Sequence, residues 1–92
     1  MNPEQSINNR LALEPYKLAT TRYIRSTMAR KGIKYNELTE SLSQKGIVMT
    51  PANLRSKVSK GMLASDLLAA IVDVLDVKDN SIQEIIKLVS DV

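Results

Sequence analysis

The chain has 92 residues, 43% of them apolar and 25% charged, which is ordinary for one globular domain of modest size. It contains no cysteine and no histidine, which excludes disulfides, thiolate or imidazole metal sites and the commonest general base. No apolar run approaches the roughly 20 residues that a membrane helix needs, and the N-terminus lacks a signal-peptide pattern. We therefore expect a cytoplasmic protein with no membrane, metal or cofactor partner.

The net charge of +3 conceals an asymmetry along the chain. Residues 1–60 carry eleven basic and four acidic residues, a balance of +7, whereas residues 61–92 carry two and six, a balance of −4. One part of the chain can attract a polyanion and the other would repel it, which points to nucleic acid or another acidic surface. The alternative is a solvated surface whose charge is merely uneven.

The polar residues 1–13 are predicted to form a flexible N-terminal arm, and residues 14–92 a single domain. Pro15 suits the first turn of a helix, which is predicted to run to about Lys31 and to end at Gly32. Three apolar residues at helical spacing are expected to face the core: Leu18, Ile24 and Met28.

Two short helices are predicted in the middle of the chain. The first spans about Tyr35–Gln44 and buries Leu38 and Leu42, which lie one turn apart. A turn containing Gly46 follows, in which Ile47 and Met49 are expected to fill the gap beneath it.

The second of these helices has strong local signals at both ends. Thr50 is a favourable N-cap, Pro51 suits the first helical position, and Gly61 ends the helix after Lys60. Its buried pair, four residues apart, is Leu54 and Val58.

The C-terminal third predicts two more helices. The first begins with Ser65 as its cap, and because it is the most apolar helix we expect it to be central. The second begins at Ser81, which forms a capping-box pattern with Glu84. Its apolar residues exceed what a small domain can bury, so residues 79–92 are predicted to mediate a two-fold homodimer; the alternative is that they only close the core. The predicted interface comprises Ile82, Ile85, Ile86 and Val89.

The helix after Thr50 is the candidate site, because residues 41–65 contain four basic residues and no acid. Side chains that read base edges must be polar and must project from the first turns of a helix in the major groove. The predicted base contacts are Ala52, Asn53, Arg55 and Ser56. The predicted phosphate contacts are Lys34, Asn36, Lys45, Thr50, Lys57 and Lys60. The alternatives are an ordinary solvated helix and, at Lys34, basic residues that satisfy the dipole of the preceding helix.

The sequence contains few residues that could act in catalysis. Glu37 and Glu40 lie three residues apart on a polar helix face, which is typical of a solvated surface. The chain has no glycine-rich phosphate loop and no metal-ligand spacing, so we expect no enzyme.

Four segments, residues 28–33, 35–42, 53–61 and 67–77, resemble the Cro/phage-repressor (Xre-like) helix-turn-helix family, nearest a subgroup of small bacterial and phage proteins with a longer turn. The resemblance implies an all-α, five-helix lambda-repressor-like domain with a central helix-turn-helix, and a dimeric regulator that often represses its own operon. The sequence departs from the family pattern in its long turn, in the four-residue spacing of its buried pair, and at Thr39, where alanine is usual.

Together these patterns predict a sequence-specific regulator of transcription that binds double-stranded DNA as a homodimer on an inverted repeat. The resemblance to the Cro/phage-repressor family implies that it represses its own promoter. The alternative from another class is a protein-interaction module, an inhibitor or adaptor that uses the basic helical surface to bind an acidic partner.

Overall fold

Five α-helices account for the regular secondary structure of the computed structural model, which describes residues 3–77 and 80–91. No strand occurs in these ranges, so the predicted all-α class with five helices is confirmed. In chain order the helices are α1 (Pro3–Lys31), α2 (Tyr35–Gln44), α3 (Pro51–Lys60), α4 (Ser65–Leu75) and α5 (Ser81–Val89).

The start of α1 was predicted wrongly. The helix begins at Pro3 and not at Pro15, so residues 3–13 are helical where an arm was expected, while residues 1 and 2 of that arm lie outside the described residues. Pro3 occupies the first turn, where a missing N–H costs nothing, and Pro15 is accommodated inside the helix. There it removes the donor that would satisfy the carbonyl of Leu11, which marks a weak point in the hydrogen-bond ladder.

The end of α1 follows the prediction. Gly32 adopts a left-handed conformation with φ of 67°, and the N–H of Ile33 reaches back to the carbonyl of Met28 at 2.9 Å. Ile33 then packs against the core. Ile24 and Met28 are buried as predicted, but Leu18 is 45% exposed because the other helices do not extend to its side of α1.

The predicted bounds of α2 and α3 agree with the structure, and their predicted pairs (Leu38 and Leu42, Leu54 and Val58) are fully buried or nearly so. In the six-residue connection between them, Ile47 and Met49 pack against the core, as expected. Lys34, a poor cap by type, is served instead by Glu37, whose carboxylate accepts the Lys34 backbone N–H at 3.1 Å.

The core lies among four pairs of packed helices. Helix α1 packs against α3 and α5, and α2 packs against α3 and α4. Only two residues of α4, Ile71 and Leu75, are fully buried, so the expectation that this most apolar helix is central was wrong. The buried apolar residues are Ala19, Tyr23, Ile24, Met28, Leu38, Leu42, Leu54, Val58, Ile71, Leu75 and Ile85.

Polar contacts attach α5 to α1. Tyr23 donates its hydroxyl proton to the Ser81 hydroxyl oxygen at 3.0 Å, and Ser81 in turn donates to the carbonyl of Val77. Ser81 is therefore a buried residue whose hydroxyl connects α5 to α1 by a hydrogen bond. It is not the predicted N-cap, because Asn80 holds that position. Similarly Ala64, and not Ser65, precedes the first helical residue of α4.

The end of α3 touches the backbone of α1 at Gly61. Gly61 has φ of 62°, and a Cβ placed on it would lie 2.6 Å from the carbonyl oxygen of Lys17 and 2.7 Å from its Cβ. Neither atom is the mobile end of a side chain. Glycine is thus needed here both for its left-handed backbone and for the close approach of two helices.

We expect Gly61→Ala to destabilise the fold more than Gly32→Ala. Both substitutions place a Cβ on a left-handed backbone, which costs about 1–2 kcal/mol. Only Gly61 also meets the Lys17 backbone, for which overpacking adds about 1–3 kcal/mol, whereas Gly32 has open space around it. Urea unfolding of the two variants measures the difference, and equal losses would show that α1 and α3 separate at little cost.

We also expect Thr50→Ala to lower the free energy of unfolding by about 1 kcal/mol, and Thr50→Ser to lower it much less. The Thr50 hydroxyl oxygen accepts the backbone N–H of Asn53 at 3.1 Å, and serine preserves that acceptor. The same urea titration separates the variants. A loss as large in Thr50→Ser as in Thr50→Ala would assign the effect to the threonine methyl group and not to the cap.

Candidate nucleic-acid interface

Helix α3 presents a polar, acid-free surface over most of its circumference. Apart from Leu54 and Val58, which have no exposed surface, every residue from Pro51 to Lys60 is exposed. All four predicted base contacts, Ala52, Asn53, Arg55 and Ser56, are therefore accessible, as are the predicted phosphate contacts Lys57 and Lys60. The buried pair fixes the helix, so that these side chains project from a rigid support.

The N-terminus of α3 is closed by its own cap. Thr50 uses its hydroxyl oxygen to accept the N–H of Asn53, which leaves the hydroxyl proton free to be donated to an anion. No acidic residue occurs in the first turn of α3. The positive end of the helix dipole is thus not neutralised locally, which favours an anion from outside.

Arg55 is held by an aromatic ring from the neighbouring helix. Its guanidinium carbon lies 5.2 Å from the centroid of the Tyr35 ring at the start of α2, within the range of a cation–π interaction. This contact restricts the rotamers of a long side chain that is otherwise free in solvent. Among the four predicted base contacts, Arg55 is the side chain that an aromatic ring of a neighbouring helix holds in place.

A cleft of about 550 Å³ opens beside Arg55, between α1, the start of α2 and the start of α3. It brings together three residues predicted from the sequence, namely Lys34, Asn36 and Arg55. Three cations and no acidic side chain line it. The complete lining is Arg25, Met28, Ala29, Ile33, Lys34, Tyr35, Asn36, Pro51 and Arg55.

Two residues of this cleft were missed by the sequence analysis. Arg25 of α1 donates from Nη2 to the Ser59 hydroxyl at 2.6 Å, which places its charge beside α3. Tyr35 supplies the ring under Arg55, and its hydroxyl is buried with no hydrogen-bond partner among the described residues. The position of Arg25 relative to the buried Ile24 and Met28 indicates on which side of α1 it lies. No sequence pattern near Arg25 indicates that Ser59 is its hydrogen-bond partner.

Lys45, one of the predicted phosphate contacts, forms an ion pair with an acidic residue. Lys45 caps the C-terminus of α2, and its Nζ lies 3.1 Å from a carboxylate oxygen of Asp73 on α4, with both side chains half exposed. A surface pair of this kind contributes little stability. The pair places the Lys45 charge beside an acidic residue of α4, and the contact of Lys45 with a phosphate stays a prediction.

The predicted dimer interface on α5 is only partly available. Ile82 and Ile86 are 60% and 58% exposed, whereas Ile85 is 7% exposed and belongs to the core. Val89 is partly buried against that core. Ile85 was therefore assigned wrongly, because the face of α5 that carries it is the face that packs on α1.

The described residues hold no group of three or more Asp, Glu, His or Cys side chains that could bind a metal ion. Within the same ranges, no helix combines the length and the apolar character that crossing a bilayer requires.

Comparison with known proteins gives one match. Residues 16–80, well over half of the chain, match the protein family described as Domain of unknown function (DUF6471). No curated protein and no solved structure matches the chain. The matched range begins just after Pro15 and includes α2, α3 and α4 together with the whole basic cleft. The chain therefore belongs to the DUF6471 family.

Proposed function

We propose that the protein is a sequence-specific DNA-binding regulator of transcription, in which α2 and α3 form the helix-turn-helix of a lambda-repressor-like domain. The observation that carries the proposal is the surface of α3, which is exposed, basic and free of acid, and is anchored by two fully buried side chains. An ordinary surface helix mixes charges of both signs. A helix that enters the major groove needs polar and basic side chains on a rigid support.

In this proposal the outer face of α3 reads bases. Arg55 is suited to a paired hydrogen bond with guanine, and Asn53 to one with adenine, while Ser56 and Ala52 make smaller contacts. The Tyr35 ring restricts Arg55 before DNA arrives, which reduces the conformational entropy lost on binding. Lys57 and Lys60, in the last turn of α3, contact phosphates and set the register without reading sequence.

The cleft beside Arg55 receives the phosphate backbone in this proposal. Lys34 and Asn36 lie in the cleft at the start of α2, where the Lys34 ammonium group and the Asn36 amide can bind a phosphate through their side chains. The Lys34 backbone N–H is already bound by the Glu37 carboxylate. Arg25 adds a third cation from α1.

The regulator acts in the cytoplasm as a homodimer on an inverted repeat, and we propose repression of its own promoter as its role. Half-sites then lie about 34 Å apart or at a multiple of that distance. The exposed Ile82 and Ile86 offer apolar surface for the dimer. The acidic balance of residues 61–92 keeps that surface away from DNA.

The first prediction from this proposal is that the protein selects a preferred duplex. Enrichment of random duplexes on the immobilised protein should give a preferred sequence, bound about 10³-fold or more tightly than random duplex at the same salt concentration. Fluorescence anisotropy at several salt concentrations measures both affinities. Equal binding of enriched and random duplexes would contradict sequence-specific regulation. Displacement of DNA by an acidic protein, with no sequence preference, would favour an interaction module.

The second prediction separates the readers of sequence from the phosphate contacts. Arg55→Ala should cost about 1–3 kcal/mol on the preferred duplex and relax the base preference, with a smaller loss on random duplex. Lys57→Ala should weaken both complexes by similar factors and reduce the slope of log affinity against log salt by about 1. Lys87→Ala removes an equal charge from α5, beside Glu84, and serves as the control that leaves both affinities unchanged. A uniform loss in Arg55→Ala would place Arg55 on phosphate.

A further inference from the structure

The N-terminal half of α1 contributes no buried residue to the core before Ala19. A 29-residue helix is about 43 Å long, which matches the 42 Å extent of the whole molecule, so α1 alone sets its long axis. Every residue from 3 to 14 is exposed, Pro15 and Lys17 are partly buried, and Ala19 is the first fully buried residue. We refer to residues 3–18 as the overhang.

The overhang is not a polar helix of the kind that stands alone in water. It carries five exposed large apolar side chains: Ile7, Leu11, Leu13, Tyr16 and Leu18. Pro15 interrupts its hydrogen-bond ladder, and isolated helices shorter than about 12–15 residues are marginal in water. A helix here therefore needs another surface to cover its apolar side chains.

The apolar residues of the overhang lie on two sides. Ile7, Leu11 and Leu18, spaced by four and seven residues, lie on one line along the helix, whereas Leu13 and Tyr16, three apart, lie on the opposite side. Because apolar side chains are stable when buried, a helix that is apolar on two opposite sides needs a protein surface against each of them. Pairing one overhang with another would cover only one line, so a groove with two walls is the better complement.

Such a groove exists between α4 and α5 of the same chain. It has a volume of about 370 Å³ and mainly apolar walls formed by Leu68, Ala69, Val72 and Ile82. Ile86 lies one turn beyond Ile82 and is equally exposed. Ala69, which has the smallest apolar side chain, lets a helix approach closely. We refer to this feature as the α4–α5 groove.

We propose that the overhang of one copy lies in the α4–α5 groove of a second copy, and that the exchange is reciprocal. Seven of the nine exposed large apolar side chains in the described residues belong to these two features. A two-fold exchange covers all seven, and each protomer contributes twice to the interface, which moves the buried area toward the roughly 800 Å² per partner of a stable dimer. A different partner on the overhang would leave the groove open.

The proposed exchange specifies how the homodimer of the proposed function is held together. It rests on that function for the dimer alone, because the exchange requires no DNA. It assigns the partner of Ile82 and Ile86 to α1 of the second copy and not to α5. The family match spans residues 16–80, so most of the overhang and the whole of α5 lie outside the range shared with the family, while the α4 wall of the groove lies within it.

The first test is the mass of the full chain in solution. Sedimentation equilibrium should show a dimer, and Leu11→Glu should raise its dissociation constant at least about 100-fold, because the two-fold assembly loses the contact twice. Asn8→Glu adds the same charge to the same helix away from both apolar lines, and should leave the dimer intact. Ile82→Glu should act like Leu11→Glu. Circular dichroism checks that each variant keeps its helices. A monomeric wild type, or a Leu11→Glu dimer as stable as wild type, would overturn the proposal.

The second test identifies the contact by cysteine cross-linking. Only the introduced thiols can react, because the sequence has no cysteine. A short bismaleimide should join a Leu11→Cys chain to an Ile82→Cys chain in a mixture of the two. Each variant alone should give far less product. Efficient coupling of Leu11→Cys to itself would show paired overhangs, and efficient coupling of Ile82→Cys to itself would show paired α5 helices; either result overturns the proposal. Neither readout depends on DNA, so loss of the proposed DNA binding would leave both results interpretable.

Discussion

The burial of one face of α3 against α1 and α2 is the contact on which the rest of the structure depends. Leu54 and Val58 lose all exposed surface, and fully burying an aliphatic side chain stabilises a fold by about 1.5–3 kcal/mol. Polar contacts then fix the helix along its axis. Thr21 donates its hydroxyl proton to the Val58 carbonyl at 2.5 Å, and Gly61 seats the end of α3 on the α1 backbone. With that face held, the remaining residues of α3 can all be polar.

The same packing explains how charge is divided in the molecule. The basic cleft is built by α1, α2 and α3, whose segment of the chain carries the positive balance, and the apolar groove is built by α4 and α5, whose segment is acidic. Lys45 lies at the boundary and pairs with Asp73 across it. A polyanion is thus drawn to one part of the surface and repelled from the other, which leaves the groove available to protein.

The parts of the fold that the sequence predicted are those with local causes. Thr50 and Pro51 set the start of α3, and Gly61 its end, through caps made within a few residues. Buried pairs four residues apart identify the inner faces of α2 and α3 for the same reason. The exposed base-reading candidates follow directly, because a residue that is not on the buried face of a short helix is on its surface.

The parts that the sequence could not predict depend on contacts between distant residues. Arg25 meets Ser59 across 34 positions, and no local pattern pairs them. Leu18 was grouped with Ile24, but a spacing of six residues places the two side chains about 120° apart around a helix, so Leu18 lies off the buried face and is exposed. Pro15 gave a misleading helix start because a proline that suits a first turn can also be accommodated within a long helix, here at its exposed half. Ile85 and Ile82 have the same residue type, and only the packing of α5 on α1 distinguishes core from surface.

Helix α1 connects the two proposed surfaces. Ile7 in the overhang and Arg25 at the cleft lie 18 positions apart on it, about 27 Å along a continuous helix. If the overhang docks on a second copy, the orientation of each cleft and each α3 is fixed relative to that copy by the geometry of one helix. Pro15 lies between the two surfaces, and its missing hydrogen bond makes its position one at which the angle can change. The distance between the two α3 helices, and with it the spacing of DNA half-sites, then depends on the bend of α1 at Pro15.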